Sequence, residues 1–374
     1  MFKRPLLSVA IAAAITLTTA AQADSSDAKL EDLASQLKEL KAQIEATADA
    51  VEQGGTASHT TLGGYGELHY NNLDKGGASK KSLDFHRFVL FMGHEFDERT
   101  RFFSELEVEH SLVGGDEPGE VELEQAYVEF DLNDTTQARG GLFLLPIGII
   151  NETHEPPTFY GLERNPVEKN IIPATWWEGG AAIAGQMASG LSYDLALTSG
   201  LKVDSGSVKI RSGRQKVAKA DASNLALTGR IRYTGLSGLE LSATAHYQDD
   251  ITQNSGDGVE SALLLETHAI WQAGPLGIKA LYAQWNIDGN VASAAGKDVQ
   301  AGYYLEGSWK LTPRIGIFAR HNGWSNEDGV DKTQQDVGIN FWPHENVVIK
   351  ADLQQQNAEA GDADGFNIGI GYQF

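Results

Sequence analysis

Three glutamates recur at every second position in one segment of the chain. In residues 100–112, Glu105, Glu107 and Glu109 fall on one face of a strand, because successive side chains of a strand point to opposite faces. Such a row of carboxylates can attract cations or pair with arginines. The same alternation can be read in other strand-like segments. It predicts that charged residues of those segments face the same interior as these glutamates: Arg87, Glu129, Arg139, Glu178, Arg230, Arg232 and Arg320.

Such charges are more typical of a protein that lets charged solutes pass through a channel than of an enzyme. Acidic and basic groups on opposite walls of a water-filled lumen create a transverse field that sets ion preference. The alternative is that the charges pair with one another and have no role in selectivity. Ser104, His246, His268 and Asp336 occur in strand-like segments, but the sequence contains no G-x-S-x-G motif. We therefore predict no catalytic residues and no enzyme.

Composition narrows the possible chemistry further. The 374 residues contain no cysteine, which excludes disulfides, thiolate metal ligands and cysteine catalysis. The formal net charge of −22 disfavours a nucleic-acid partner. No set of side chains stands out as metal or cofactor ligands, so we predict none.

A basic run interrupts this acidic chain in the stretch 201–223. It could attract anions toward a channel mouth, bind the phosphates of lipopolysaccharide, or be an ordinary solvated loop. Its cations are Lys202, Lys209, Arg211, Arg214, Lys216 and Lys219.

The last ten residues alternate strictly between an apolar face and a polar or glycine face. Phe366, Ile368, Ile370 and Phe374 share the apolar face, a pattern that predicts a strand. Outer-membrane barrels close on such a strand, although a soluble sandwich could also end on one. We expect this strand to pair with the one starting near Thr60. We also expect Phe374 to face lipid at the periplasmic rim and to be the signal read by the barrel assembly machinery.

Strand-like segments of membrane-spanning length follow one another from residue 60 onward. The register is ambiguous in three of them (82–96, 120–132 and 275–287), where bulges would explain the pattern. The predicted strands are 60–71, 82–96, 100–112, 120–132, 135–145, 176–187, 190–200, 224–234, 238–250, 259–272, 275–287, 298–311, 314–324, 333–342, 346–357 and 365–374.

Short turns and longer loops alternate between these segments, as in a membrane barrel with short periplasmic turns. The predicted long loops are 72–81, 113–119, 146–175, 201–223, 251–258, 288–297, 325–332 and 358–364.

The longest loop, 146–175, is rich in proline and aromatic residues, which favours an ordered segment folded into the pore as a constriction. The alternative is an extracellular flap. Its candidate functional residues are Glu152, His154, Glu155, Arg164 and Lys169.

The N-terminal region differs from the rest. Residues 1–23 have a basic start, an apolar stretch and a small-residue cleavage site, which predicts a secretory signal peptide. Residues 24–55 carry leucines spaced three and four apart, which predicts a short periplasmic α-helical coiled coil. An amphipathic helix without a coiled-coil partner is the alternative. Residues 56–374 would form the barrel.

Three stretches, 84–109, 124–130 and 140–143, together resemble the phosphate-selective porin O and P family. The resemblance covers about residues 60–175 and implies a trimeric sixteen-stranded channel. In the family's namesakes, phosphate selectivity rests on an arginine ladder and lysines at the constriction. Here Arg87 matches the arginine-containing strand, but no ladder is visible, and the glutamate row favours cations.

We therefore expect an all-β protein, a transmembrane antiparallel β-barrel of about sixteen strands with a short helical coiled-coil segment before it. Its expected place is the outer membrane of a Gram-negative bacterium. The expected function is passive diffusion of small hydrophilic or charged solutes. One alternative is an anion- or phosphate-selective channel, and another is a structural or adhesion protein anchored through the coiled coil. The expected partners are two further copies in a homotrimer, lipid and lipopolysaccharide, and small ions.

Overall fold

The computed structural model describes residues 59–254, 258–357 and 363–374, so the expected signal peptide and coiled coil lie outside the described residues. Sixteen antiparallel strands of this part form a closed barrel in which neighbours in sequence are neighbours in the sheet. The strands are β1 (Thr60–Lys75), β2 (Ala78–Glu95), β3 (Thr100–Glu109), β4 (Val121–Asn133), β5 (Thr136–Leu144), β6 (Trp177–Gln186), β7 (Leu191–Thr198), β8 (Ala226–Tyr233), β9 (Leu239–Gln248), β10 (Ala262–Ala273), β11 (Leu276–Ile287), β12 (Val299–Thr312), β13 (Ile315–Ser325), β14 (Asp331–His344), β15 (Val347–Asn357) and β16 (Ala363–Gln373).

The first and last strands close the barrel, as the sequence predicted. β1 pairs with β16 from Tyr65 opposite Gln373 to the far end of both strands. Beyond the last pair, Gly64 and Phe374 exchange two backbone hydrogen bonds of 3.0 and 2.9 Å. Ile368 is 45% exposed, whereas Asn367 is 1% exposed, so the apolar face of β16 points outward.

Apolar side chains cover the outside of the barrel around its circumference. A surface of this kind is expected where the surrounding medium is lipid. Outward-facing examples, one from each of several strands, are Leu195, Ile231, Leu241, Leu265, Leu305, Ile339 and Leu353.

Seven connections at one end of the barrel, the turn end, are short, and those at the opposite end, the loop end, are mostly longer. The predicted loop 72–81 is wrong. β1 and β2 continue through it and meet at a turn of Gly76 and Gly77, whose φ angles are 61° and 84°. The polar residues of these strand extensions resemble a loop in sequence. At the turn, glycine accommodates the positive φ that other residues disfavour.

Two bulges explain two of the three ambiguous registers. The β1–β2 register shifts at His86, and the β3–β4 register shifts at Glu124. Each bulge turns two consecutive residues inward, His86 with Arg87 and Glu124 with Gln125. β11, the third ambiguous segment, pairs regularly on both sides.

The described residues include two short α-helices, α1 (Pro166–Asn170) and α2 (Asn290–Ala294). Within the same residues, no helix has the length and apolar character needed to cross a membrane. A hydrophobic core lies inside the barrel, where residues of two long loops pack against the inner faces of β5 to β7 and β10 to β13. Its loop members include Leu145, Ile147, Val167, Ile171, Ile172, Trp176, Leu201, Val203, Val208 and Ile210.

Candidate functional site

The loop between β5 and β6, residues 145–176 and here named the inserted loop, lies inside the barrel and crosses it. On the far wall, the backbone of Gly161 accepts a hydrogen bond of 2.8 Å from Lys350 Nζ. Leu162 N donates to Asp352 Oδ2 at 2.7 Å. On a third side, Trp285 Nε1 donates to the carbonyl of Ile171 at 2.9 Å. The loop is therefore fastened to strands around the lumen and is not an external flap.

A buried carboxylate organises the middle of the inserted loop. Glu168 accepts hydrogen bonds from the amides of Ile149 (2.9 Å) and Ile150 (2.6 Å) and from Tyr304 Oη (2.7 Å). The side chain of Asn165 caps α1 by accepting from Glu168 N at 2.9 Å. Burial raises the pKa of Glu168, and these donors lower the cost of its charged form.

Asn151 closes the base of the loop. Its Nδ2 donates to the carbonyls of Leu145 (2.8 Å) and Trp176 (2.9 Å), and its Oδ1 accepts from Trp176 N at 2.7 Å. One side chain thus joins the residues at which the chain leaves β5 and enters β6. Because all these groups are buried, each hydrogen bond avoids an unsatisfied polar atom.

A second fastening point joins the loop to β2, β3 and β4. His154 is buried, with its Nε2 at 3.3 Å from Glu105 Oε1 and 3.4 Å from Glu124 Oε2. Burial alone would lower the pKa of His154, but these two carboxylates raise it to about 9. The imidazole is therefore a cation at neutral pH and compensates part of the acidic row.

Arg87 compensates the charge of Glu67 and part of the charge of Glu107, the second glutamate of the row. Its guanidinium lies 2.6 Å from Glu67 Oε1 and 4.0 Å from Glu107 Oε2. All three side chains are about 2% exposed. Glu105 and Glu107 do face inward, as the alternation predicted, but their side chains are only 1% and 2% exposed beneath the inserted loop.

A second loop, residues 199–225, also enters the barrel. Val203 N donates to the carbonyl of Ile251 at 2.8 Å, and Gln300 Nε2 donates to the carbonyl of Val208 at 2.8 Å. The interpretation of 201–223 as a basic loop at the mouth is wrong for its central part, because apolar residues between the cations draw the chain into the core. Sequence spacing showed the charges but not this insertion.

The cations of this second loop have separate roles. Lys202 lies 3.5 Å from Asp221, and Lys209 lies 3.8 Å from Glu327. Lys216 bridges Glu120 and Glu122, and Lys219 is exposed.

Arg211 and Arg214 reach the inserted loop and meet Arg164 there. Arg211 Nη1 donates to the carbonyls of Lys169 (3.0 Å) and Ala174 (2.8 Å). Arg214 donates to the carbonyls of Pro173 and Thr175.

We name Arg164, Arg211 and Arg214 the arginine cluster. Within the described part of the chain, no carboxylate lies within 4.0 Å of any of these three guanidiniums.

The arginine cluster faces the acidic ends of β3 and β4 across a narrow space. A cavity of about 90 Å³ is lined by Glu109, Arg164 and Arg211, among others. Burial lowers the pKa of Arg211 and of Arg214. Repulsion from Arg164 lowers both pKa values further, and repulsion from Arg214 also lowers that of Arg211. The cluster therefore concentrates positive charge, which Glu109 and Glu122 offset only in part and without a direct ion pair.

Larger cavities lie on either side of the inserted loop. One of about 820 Å³ opens toward the turn end and is lined by Arg139, Glu152, Arg230 and Arg232. The other, of about 570 Å³, opens toward the loop end and is lined by Arg164 and Lys169. Water therefore reaches the loop from both ends of the barrel.

Other predicted lumen residues are mostly paired. Glu129 lies 2.8 Å from Arg101 and 3.8 Å from Arg139, and Arg230 pairs with Asp194 and Glu152. Arg320 lies 3.1 Å from both Glu306 and Asp336. Glu155 lines a separate cavity near the turn end.

Glu178 is a correction to the predicted pore lining. It is buried, accepts from Trp176 Nε1 (2.9 Å) and Gly200 N (2.8 Å), and holds the two loops at their bases. Alternation placed it on the inner face, but it could not reveal that two loops would cover that face.

The predicted pore lining did not include Glu67, Glu124 and Asp336, which are the buried partners of predicted residues. Strand pairing was the missing information. Glu67 stands opposite Arg87, and Asp336 stands opposite Arg320, in the observed registers.

The chain resembles known proteins in both sequence and fold. It is 29% identical over 360 residues to an uncharacterised protein of Aquifex aeolicus (strain VF5), covering 84% of this chain and 80% of that one. An anion-selective porin from Comamonas acidovorans is 13% identical with a TM-score of 0.61, covering 84% of this chain and 99% of that one. OmpF of Salmonella typhi in complex with daunomycin is 12% identical with a TM-score of 0.60, covering 84% and 97%.

The two solved structures share the barrel fold with this protein, and the family is established by the sequence itself. Residues 64–374 match the model of a family described as phosphate-selective porin O and P. Since this match covers nearly all of the barrel, the chain belongs to the phosphate-selective porin O and P family and is an outer-membrane porin.

Proposed function

We propose that this porin is a passive, non-enzymatic channel for small charged solutes, in which the inserted loop forms the constriction and the arginine cluster favours anions. The observation that carries this proposal is the position of Arg164 and Arg211 at the narrow cavity, where no carboxylate of the described residues lies within 4.0 Å of either guanidinium. Unpaired cations at a constriction lower the energy of an anion and raise that of a cation.

The buried state of the acidic row supports an anion preference. Glu105 lies beside His154, and Glu107 lies at 4.0 Å from Arg87, beneath the inserted loop. The fields of close opposite charges largely cancel at a distance, so these carboxylates contribute little to the energy of a passing ion. The sequence-based expectation of cation preference treated the same carboxylates as open to water.

Glu109 and Glu122 oppose this preference. Glu109 lines the narrow cavity, whereas Glu122 pairs with Lys216. Four cations (Arg87, Arg164, Lys169 and Arg211) and three carboxylates (Glu67, Glu109 and Glu163) line that cavity, so the balance is positive. An acidic wall facing a basic wall also produces the transverse field expected from the sequence, which would orient dipolar solutes.

Measurements in a planar bilayer with a KCl gradient test two parts of the proposal, the channel function and the anion preference. We expect single-channel steps and a reversal potential of the sign that chloride permeation produces. A cation-selective reversal potential would refute the anion preference and leave the channel intact. A folded, heat-modifiable barrel without conductance would refute the channel itself.

We also propose the expected route of assembly. Residues 1–23 would direct export and be removed, and residues 24–55 would form a periplasmic coiled coil beneath a homotrimer. Phe374, 61% exposed beside the barrel seam, would be read by the assembly machinery. Surrounding lipid and lipopolysaccharide would cover the apolar outer surface. Deletion of residues 24–55 followed by mass measurement in detergent tests the coiled coil, and an unchanged trimer would exclude an oligomerising role.

A further inference from the structure

Two histidines and an aspartate converge at the loop end of the lumen, in a cavity that Arg164 of the arginine cluster also lines. Asp84 Oδ2 lies 3.2 Å from His86 Nδ1 and 2.9 Å from His110 Nδ1. One possible ligand atom from each of the three residues lies within 4.8 Å of the other two. We name these three residues the mouth cluster.

The fold brings the mouth cluster together through two local irregularities. Asp84 and His86 lie two apart on β2 and share the inner face, and the bulge at His86 lets Arg87 face inward as well. His110 follows the end of β3 and has a φ of 54°, which is uncommon for a residue other than glycine. A backbone hydrogen bond of 3.1 Å from His110 N to the carbonyl of His86 holds it there.

A second layer of residues orients His86. His69 stacks on it with ring centroids 4.5 Å apart. The nitrogens of His69 already have carboxylate neighbours, with Nδ1 at 3.1 Å from Glu163 and Nε2 at 3.0 Å from Glu67. His69 therefore supports the mouth cluster and leaves His86 and His110 as its imidazole donors.

The spacing and donor types fit a transition-metal ion. Zn²⁺ binds imidazole nitrogen and carboxylate oxygen at about 2.0–2.2 Å, so neighbouring ligands of a tetrahedral site are about 3.4 Å apart. The observed separations of 2.9 and 3.2 Å are close to this value. Two imidazoles favour Zn²⁺, Ni²⁺ or Cu²⁺ over the oxygen-seeking Ca²⁺ and Mg²⁺.

The site is reachable from water. Asp84, His86 and His110 all line the cavity of about 570 Å³ at the loop end, so one or more waters could complete the coordination of an ion. Lys80 and Arg164 line the same cavity and would weaken the binding of a cation. The three ligands must therefore supply the affinity through direct bonds.

We propose that Asp84, His86 and His110 form a binding site for one divalent transition-metal ion, such as Zn²⁺, at the outer mouth of the channel. None of the three ligands belongs to the arginine cluster, so metal binding and anion preference can be tested with separate substitutions. An ion bound there would add positive charge at the entrance through which solutes pass.

Calorimetric titration of the folded barrel in detergent with ZnCl₂ tests this site. We expect one Zn²⁺ per barrel, and binding weakened at least about tenfold in His110→Ala, since even outer-shell changes at metal sites have effects of this size. His344→Ala removes an exposed histidine from a turn-end connection and should leave binding unchanged. Heat-modifiable mobility on gels shows which variants are folded.

A second variant and a second metal make the test decisive. His86→Asn keeps a polar side chain at the bulge and should also weaken Zn²⁺ binding if the fold is retained. Bound Co²⁺ should give the strong visible absorption of a low-coordinate nitrogen and oxygen site. Equal Zn²⁺ affinity of the wild type and the His86→Asn/His110→Ala double variant, or displacement of Zn²⁺ by equimolar Ca²⁺, would overturn the proposal.

Discussion

Arg87 Nη2 donates a hydrogen bond of 2.9 Å to the backbone carbonyl of His154, joining β2 directly to the inserted loop. The same guanidinium also bonds Glu67 at 2.6 Å and Tyr65 Oη at 3.2 Å. One buried cation thus forms hydrogen bonds with both the barrel wall and the inserted loop. Arg87 is therefore a structural fastening, and this explains why its charge is not available to solutes.

Replacing Arg87 with glutamine should destabilise the barrel and loosen the loop. Glu67 would lose its closest cation, and breaking a buried ion pair typically costs about 3–5 kcal/mol. We expect a lower temperature for loss of heat-modifiable mobility and more frequent current fluctuations in single channels. Arg99→Gln makes the same change at an exposed turn and should alter neither property. Equal behaviour of the two variants would exclude the fastening role.

The loop should loosen at alkaline pH through His154. Its pKa is about 9 in the folded protein, against about 6.5 in an unfolded chain. Because the folded value is higher, the stabilising contribution is complete below about pH 6.5 and is lost as pH rises through about 9. The loss is on the order of 3 kcal/mol.

Unfolding by urea between pH 7 and 10 measures this contribution. The wild type should lose stability over this range, and His154→Gln should lose less because it has no titrating imidazole beside Glu105 and Glu124. His344→Gln, at an exposed turn, should follow the wild type. If the wild type and His154→Gln show the same pH dependence, His154 does not fasten the loop as a cation.

Arg164→Gln should reduce the anion preference with little structural effect. Arg164 makes one long hydrogen bond of 3.4 Å to Thr175, whereas Arg211 and Arg214 hold several carbonyls. A unit charge about 4 Å from an ion contributes about 1 kcal/mol in water, or a factor of about five in relative permeability.

Reversal potentials in a KCl gradient compare this variant with Lys202→Gln, which removes the same charge from an exposed position. We expect a shift toward cation permeation only in Arg164→Gln. A shift of equal size in both variants would assign selectivity to the overall charge of the protein, and no shift in either would remove Arg164 from the selectivity filter.

The sequence predicted the barrel better than its contents for a physical reason. A strand that separates lipid from a lumen must alternate apolar and polar side chains. The side to which Ile368 or Asn367 points can therefore be predicted from its immediate neighbours in sequence. Glu178 and Glu105 also obey the alternation, but their exposure depends on loops distant in sequence. The arginine cluster combines Arg164 with Arg211 and Arg214 from another loop, and no local pattern links them.

Bulges limited the prediction in a second way. At His86 and Glu124, two consecutive residues face inward, which breaks the period of two. The mouth cluster depends on one of these bulges and on the positive φ of His110. These are irregular features that the pairing partner and the tertiary contacts stabilise, so the sequence alone marked the region as ambiguous without locating its ligands.

Glycine on the inner face of β16 should prove necessary for seating the inserted loop. A Cβ atom on Gly371 would lie 2.2 Å from Cβ of Pro156, where the loop passes closest to the closing strand. Gly371→Ala must therefore displace the loop, and overpacking of this kind typically costs about 1–3 kcal/mol. Gly307→Ala on β12 meets no atom within 4 Å and is the matched control.

Both glycine variants should fold into heat-modifiable barrels, because the strand pairing is unchanged. Gly371→Ala should unfold at a lower urea concentration and show altered single-channel conductance, since Pro156 lies two residues from His154 and its displacement pulls on that fastening point. Gly307→Ala should match the wild type in both measurements. If Gly371→Ala also matches the wild type, the loop does not rest against β16 in the membrane, and the constriction must have a different position.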